Sequence, residues 1–164
     1  PYTHVFRSEL IPIEDVLANT TGVSRARIYS SRTNFDAPGF FISNFAYEDM
    51  PTFLDNRWNF NDTAGDTAIF DKIEVVRGAA GLMSGTGNPS AYVNMVRKHA
   101  DSKEFKGNVS ATYGSWDKQR YVLDLQAPLT ESGAVPGRVI AGSQDNDSSL
   151  DRHHYRQKFF HGKI

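Results

Sequence analysis

Two hydrophobic periods run through the chain. In SELIPIEDVLANTTGV, residues 8–23, Ile13, Val16 and Leu17 fall on one face at helical spacing. Pro12 suits a first helical turn, Glu14 and Asp15 favour its positive end, and Thr20-Thr21-Gly22 closes it. A helix followed by a turn is predicted. Ile73-Glu74-Val75-Val76 and Ala91-Tyr92-Val93-Asn94-Met95-Val96 read as two strands. They are joined by a connection with glycines at 78, 81, 85 and 87 and a turn at Asn88-Pro89. Residues 40–57 alternate loosely, which predicts a strand followed by a loop.

Past Ala100 the period becomes two. In 107–113, Val109, Ala111 and Tyr113 alternate with Asn108, Ser110 and Thr112. In 120–126, Tyr121, Leu123 and Leu125 oppose Arg120, Val122, Asp124 and Gln126. Gly114 to Lys118 reads as a hairpin loop, 138–144 and 155–163 as further strands, and Asp145 to Asp151 as a polar loop. Such alternation fits a half-buried antiparallel sheet and a transmembrane barrel wall equally well.

At 164 residues the chain can bury a real core. A net charge of −1 gives no basic footprint for nucleic acid. No apolar run approaches the roughly 18 residues of a membrane helix, which excludes helical spans and leaves barrel strands open. With no cysteine, disulfides and thiolate metal sites are out. The start, Pro1-Tyr2-Thr3, has neither the basic nor the apolar region of a signal peptide.

Candidate chemistry thins out on inspection. Gly85 to Ser90 begins like a dinucleotide loop, but it contains Pro89 and no Lys-Ser or Lys-Thr at phosphate-loop spacing. Asp145-Asn146-Asp147 opens like a calcium loop, yet its sixth position is Leu150 and its twelfth Arg156. His153 and His154 point to opposite faces of a strand, and no HExxH or GxSxG motif is present. The chain reads as non-enzymatic, with no catalytic residue, cofactor or metal site. Asn56-Arg57-Trp58-Asn59 is a charged aromatic cluster: either a ligand contact, or a packed Trp58 beside a solvated Arg57. Arg77 stands between an apolar strand and the glycines, which favours a buried charge over a surface one at a strand end.

The run from Phe70 to Ala100, FDKIEVVRGAAGLMSGTGNPSAYVNMVRKHA, resembles the plug signature of TonB-dependent outer-membrane receptors, in the ferric-siderophore branch and nearest the hydroxamate, coprogen-type receptors. The helix at EDVLANTTGV and the turn at Asp124, Pro128 and Leu129 resemble the same family. The resemblance implies an α+β plug over 1–104, a small mixed sheet with short helices and long loops. The first antiparallel strands of an incomplete transmembrane β-barrel would follow over 105–164. It further implies ferric-siderophore uptake at the cell outer membrane. Partners would be the siderophore, outer-membrane lipid, and TonB through a segment not in this chain, with a signal peptide in the full gene product. Arg57, Trp58 and Phe53, then Arg32, are the expected ligand contacts, and Arg77 the expected plug–barrel salt bridge. Two departures stand out. Pro38-Gly39-Phe40 lacks the family's arginine, and Glu48-Asp49 replaces its Asp-Gly turn. They keep open a plug-like structural or signalling module acting through protein partners. A receptor for another nutrient is the near neighbour; haem would want exposed histidines, and the plug region offers only His4 and His99.

Overall fold

The computed structural model describes residues 2–7, 13–29, 32–37, 39–52, 66–78, 90–130, 133–147 and 154–164. For Tyr2, His4, Arg7, Glu14, residues 26–29 and 32–34, and Thr52, only the backbone is described. The chain divides into two compact units, Pro1–Lys98 and His99–Ile164.

In the first unit the order is β1 (Tyr2–Arg7), α1 (Ile13–Ala18), β2 (Ser24–Tyr29), β3 (Arg32–Ala37), β4 (Phe40–Phe41), β5 (Asn44–Tyr47) and β6 (Met50–Thr52). A 3₁₀ turn (Thr67–Ile69), β7 (Phe70–Arg77) and β8 (Ala91–Arg97) complete it. One sheet has the order β1-β7-β8-β5-β6, the other β2-β3-β4. Strand β5 runs parallel to β8 while β1, β7 and β6 pair antiparallel, so the larger sheet is mixed.

The expected helix has its described part at Ile13–Ala18, and its predicted face is the buried one: Ile13, Val16 and Leu17 are among the core residues. It stops where Thr20 Oγ1 donates to the Val16 carbonyl at 3.0 Å and Gly22 takes φ +77°. The core lies on one face of the larger sheet. Phe45, Ile73, Val75, Val93 and Met95 meet the three α1 residues and Phe35, Ala37 and Ile42 from the smaller-sheet region.

One stretch had no element assigned from the sequence, and one expectation needs correction. Residues 24–37, a polar mixed stretch with no evident period, form the β2–β3 hairpin; Phe35 and Ala37 supply the buried side that holds it. Residues 40–52 form three short strands instead of one strand and a loop: the Ile42 N–H still donates to the Phe35 carbonyl at 2.8 Å in the β3–β4 register, Asn44 to Tyr47 then pair with β8, and the chain reverses at Glu48-Asp49.

The second unit is an antiparallel meander of β9 (Lys106–Gly114), β10 (Lys118–Pro128), β11 (Pro136–Asp147) and β12 (His154–Lys163). All four expected strands are present and longer. Asp145 to Asp147, expected in a loop, belong to β11, because cross-strand partners bind their carboxylates. Arg156 Nε donates to Asp145 Oδ2 at 2.8 Å, and His154 lies 2.8 Å from Asp145 and 2.9 Å from Asp147. Among the described residues no helix is long and apolar enough to cross a membrane.

The meander is dressed inside out. The register puts Val109, Ala111 and Tyr113 beside Leu123, Tyr121 and Gln119, and Val139 and Ala141 beside Leu125 and Leu123. Phe160 continues the row opposite Ala141. This apolar face is open: Val109 is 75% exposed and Phe160 74%. The other face carries Arg120, Asp124, Gln126, Arg138 and Gln144 among Val122 and Ile140, and there Arg120 is 4% and Gln126 6% exposed. Arg120 donates to Gln144 at 3.1 Å, and Arg138 grips Asp124 through two bonds of 2.8 and 2.9 Å.

Gly142 lies opposite Phe159 in the ladder, and a Cβ there would run into the Phe159 ring. Gly142→Val is therefore expected to destabilise the sheet by about 1–3 kcal/mol, with partial recovery when combined with Phe159→Ala. Denaturant midpoints of the two variants check this.

Candidate functional site

Of the residues singled out as ligand contacts, Phe53, Arg57 and Trp58 lie outside the described residues, as does Pro38. Arg32 opens β3, opposite Tyr29 in register. The structure thus describes the frame from which the 53–65 stretch departs and to which it returns.

The departure point is β6, whose Thr52 pairs with Phe45 of β5. The return is Asp66. Its Oδ1 accepts from the Ala68 N–H at 2.8 Å, capping the 3₁₀ turn, and its carbonyl accepts from the Ile69 N–H at 3.2 Å. The turn is tied to β8 where the Lys98 N–H donates to the Ile69 carbonyl at 2.9 Å. Below it Tyr47 stacks on Phe70, with ring centroids 5.8 Å apart, and the Arg97 guanidinium sits 5.3 Å from the centre of the Tyr47 ring. The other long stretch, 79–89, leaves and re-enters the sheet where Arg77 pairs with Ala91.

The β5–β6 connection is a two-residue turn, since Tyr47 pairs with Met50. Glu48 and Asp49 have φ of +51° and +64°, the type I′ signature that glycine or asparagine usually supplies. For an L-residue the left-handed region costs roughly 1–2 kcal/mol, less for Asp. The missing turn glycine is thus compensated by contacts. Asn94 Oδ1 accepts from the Asp49 N–H at 3.0 Å, and Asn94 Nδ2 donates to Asp49 Oδ1 at 2.9 Å. The same Nδ2 donates to Glu74 Oε2 at 3.2 Å, and Lys72 Nζ holds Glu74 Oε1 at 2.6 Å. The Glu48 N–H donates to the Met95 carbonyl at 3.1 Å.

These groups share the face opposite the core. Asn94 pairs with Glu74 in register on β7 and with Ala46 on β5, and Asn94 itself is 2% exposed. The bond from Lys72, then that from Asn94, holds the Glu74 carboxyl below the usual carboxylate range, against its partial desolvation. Burial pushes the neighbouring Tyr92 hydroxyl up, aided by the charges of Asp49 and Glu74. Sequence reasoning missed this cluster, although a polar Asn94 inside an apolar strand was the available signal.

Arg77 ends β7; the residue is half-buried and its Nε is shielded from solvent. Its guanidinium lies over Gly22: a Cβ on Gly22 would run into Arg77 Nη1. Gly22 is thus required twice, for its φ of +77° and for the approach of the arginine.

In the second unit, connector residues are fastened to the polar face of the meander. Arg138 Nη1 donates to the His99 carbonyl at 2.9 Å, and Gln126 Nε2 donates to Asp101 Oδ1 at 2.8 Å. The latter bond is the main cause that lowers the Asp101 carboxyl from its usual range.

Two outcomes are expected from this geometry. Gly22→Ala should cost about 1–3 kcal/mol, and Gly22→Ala with Arg77→Ala should cost less than the sum of the two single changes; unfolding midpoints of the three variants measure the coupling. Glu74, with its folded pKa depressed, contributes stability above its ordinary value of 4.5 that is lost as pH falls through the lowered value. Between about pH 5 and about pH 3 the melting temperature of Glu74→Gln should therefore fall less than that of the wild type.

No protein-family model matches the chain. It is 40% identical over 151 residues to the ferripyoverdine receptor of Pseudomonas aeruginosa, a match covering 92% of this chain and 18% of that protein. The crystal structure of the ferripyoverdine receptor of the Pseudomonas aeruginosa outer membrane, bound to ferripyoverdine, superposes with a TM-score of 0.90 at 37% identity, over 98% of this chain and 22% of that one. The outer-membrane alcaligin receptor of Bordetella pertussis gives a TM-score of 0.84 at 36% identity, over 98% of this chain and 28% of that one. The chain thus spans about a fifth of the length of the curated relatives it matches. These relatives are receptors and not enzymes, and the coprogen-type closeness expected from the motifs is not confirmed by them. In sequence and in fold the chain is similar, over nearly its whole length, to one segment of the TonB-dependent siderophore receptors of the outer membrane.

Proposed function

We propose that this chain forms the plug, residues 1–104, and the first four wall strands, residues 105–164, of a receptor that takes up a ferric siderophore across the outer membrane. The observation that carries the reading is the inverted meander. A sheet that leaves Val109, Leu123, Val139 and Phe160 open while Arg120 and Gln126 are shielded suits a wall with lipid outside and a polar lumen within. Tyr113 and Tyr121, whose hydroxyls meet at 2.7 Å, edge that apolar band: Tyr121 lies one row before the polar group of Asp145, Asp147, His154 and Arg156, and Tyr113 is level with Asp145 and Arg156. An aromatic row at this level suits a membrane interface.

The ligand is a ferric chelate of the pyoverdine kind, a reading supported by the named relatives. A coprogen-type hydroxamate is the alternative chelate. Arg57, Trp58 and Phe53, with Arg32 at the start of β3, supply cationic and aromatic contacts suited to a polar, anionic chelate. Arg77 ties the plug to a carboxylate of the barrel, and TonB acts on the plug from the periplasmic side. No bond is made or broken, and the iron travels as cargo inside the chelate.

Fluorescence of the full receptor, titrated with ferric pyoverdine, ferric coprogen and their iron-free forms, tests this. Saturable quenching by ferric pyoverdine is expected. Arg57→Ala should weaken binding about 10-fold or more, as loss of a charged hydrogen bond does, and Trp58→Phe should shrink the signal. A folded receptor silent to both ferric chelates would overturn the reading; a response to ferric coprogen alone would reassign the chelate.

A further inference from the structure

The chain passes from the first unit to the second with no slack. The Lys98 N–H donates to the Ile69 carbonyl at 2.9 Å, inside the first unit. The carbonyl of the next residue, His99, accepts from Arg138 Nη1 at 2.9 Å, inside the second. Strand β9 begins only at Lys106, so 99–105 has no ladder. It is nevertheless fastened along its length. Gln126 Nε2 donates to Asp101 Oδ1 at 2.8 Å. The Ser102 hydroxyl, on a residue 6% exposed, donates to the Glu104 carbonyl at 2.9 Å and accepts from the Glu104 N–H at 3.3 Å. A Cβ on Gly133, in the β10–β11 turn, would lie 3.7 Å from the Lys103 Cβ, so that turn packs against the segment. Arg138 is aimed before it reaches His99: its fork on Asp124, at 2.8 and 2.9 Å, fixes the plane of the guanidinium, and Nη1 then falls at the carbonyl.

We propose that 99–105 is a strap belonging to the four-stranded wall, and that the hinge on which the plug opens lies at Lys98-His99, with Arg138 and Gln126 as the latches that hold the strap. This moves 99–104 from the plug to the wall. Between the two flanking bonds stand only the backbone dihedrals of Lys98 and His99, and a hinge is built from a few such residues. Unfastened, 99–105 would reach roughly 25 Å at full stretch, a long tether with no fixed pivot. The attachment of the strap follows from the bonds alone, whereas the role of the hinge rests on the uptake reading.

The full receptor tests both parts. For the strap, spin labels at Glu104→Cys and Ser115→Cys, both exposed positions, report the distance distribution between the strap and the β9–β10 turn. Gln126→Glu sets two carboxylates face to face, and the distribution is expected to broaden about 2-fold or more. Adding Asp101→Asn exchanges donor and acceptor on side chains of the same lengths, and is expected to restore the wild-type width. Arg138→Lys, which keeps a cation for Asp124 but not the fork, is expected to broaden it as well. An unchanged width in either single variant, or no restoration in the swap, would overturn the strap. Should Gln126→Glu fail to fold while the swap folds, that rescue supports the strap; failure of both overturns it. For the hinge, Asp101→Cys and Gln126→Cys, joined by a short bismaleimide, fix the strap to β10. Uptake of ferric pyoverdine by cells is then expected within about 2-fold of wild type, since the strap has no need to move. Loss of uptake on cross-linking would overturn the hinge. A wild-type receptor that takes up no ferric pyoverdine, while the widths follow the expected pattern, rejects the siderophore reading and the hinge with it, and keeps the strap.

Discussion

The first unit depends on one strand being buried on both faces. In β8, Ala91, Tyr92, Val93, Asn94 and Met95 are all buried, so the strand has no solvent side to which a polar group could turn. Its core side is apolar and closes against α1 and the Phe35–Ile42 region. Its other side holds Asn94, whose amide must find partners within the protein, because an unsatisfied buried amide costs several kcal/mol on apolar transfer scales. The partners it finds lie to either side, Asp49 in the β5–β6 turn and Glu74 on β7. A requirement of one side chain thus becomes a cross-link between the β5–β6 hairpin and β7. The Lys98 N–H, just beyond the end of β8, fastens the 3₁₀ turn in the same way.

The second unit obeys the opposite solvent rule. A water-soluble sheet hides its apolar side; this meander shields Arg120, Gln126, Asp124 and Arg138 and opens the valines, leucines and Phe160. Its polar side is not a loose collection of charges. Arg138 meets Asp124 in a forked pair and also takes the His99 carbonyl, while Gln126 holds Asp101. Such satisfied pairs are what shielded polar groups require. On the apolar side Asp145, Asp147 and Arg156 gather at one end of the ladder, where Arg156 pairs with Asp145, and Lys158 lies one row in, opposite Ser143. Confinement of charge to the end of an apolar band is what a slab of hydrocarbon bounded by water imposes.

The strongly periodic stretches were legible in the sequence and the strained ones were not. Ile73–Val76, Ala91–Val96 and the four meander strands were legible as strands, and in 107–113 and 120–126 the two sides came out as the alternation placed them. The β2–β3 hairpin escaped notice because, among its described side chains, Phe35 and Ala37 are the buried apolar ones, too few to raise a period against arginines at 25, 27 and 32. The end of β11 escaped because Asp145 and Asp147 suggest a loop until their cross-strand partners are known. Composition nominated Arg57 and Trp58 for the ligand, but nothing local reports that Asn94 reaches Asp49, a partner 45 residues away. Arg77, nominated from its neighbours, is half-buried with a shielded Nε, and its contact with Gly22 needed the fold.

The two ways of making a left-handed turn differ in more than cost. A glycine turn is local: its conformation stands whether or not the rest of the sheet is formed. A turn of Glu48 and Asp49 stands only while Asn94 is in place, and Asn94 is in place only while β8 is registered on β7. The hairpin is therefore coupled to the sheet, so that local opening of one lowers the stability of the other. Such coupling transmits the geometry of the most buried strand through β5 to Thr52, where β6 ends.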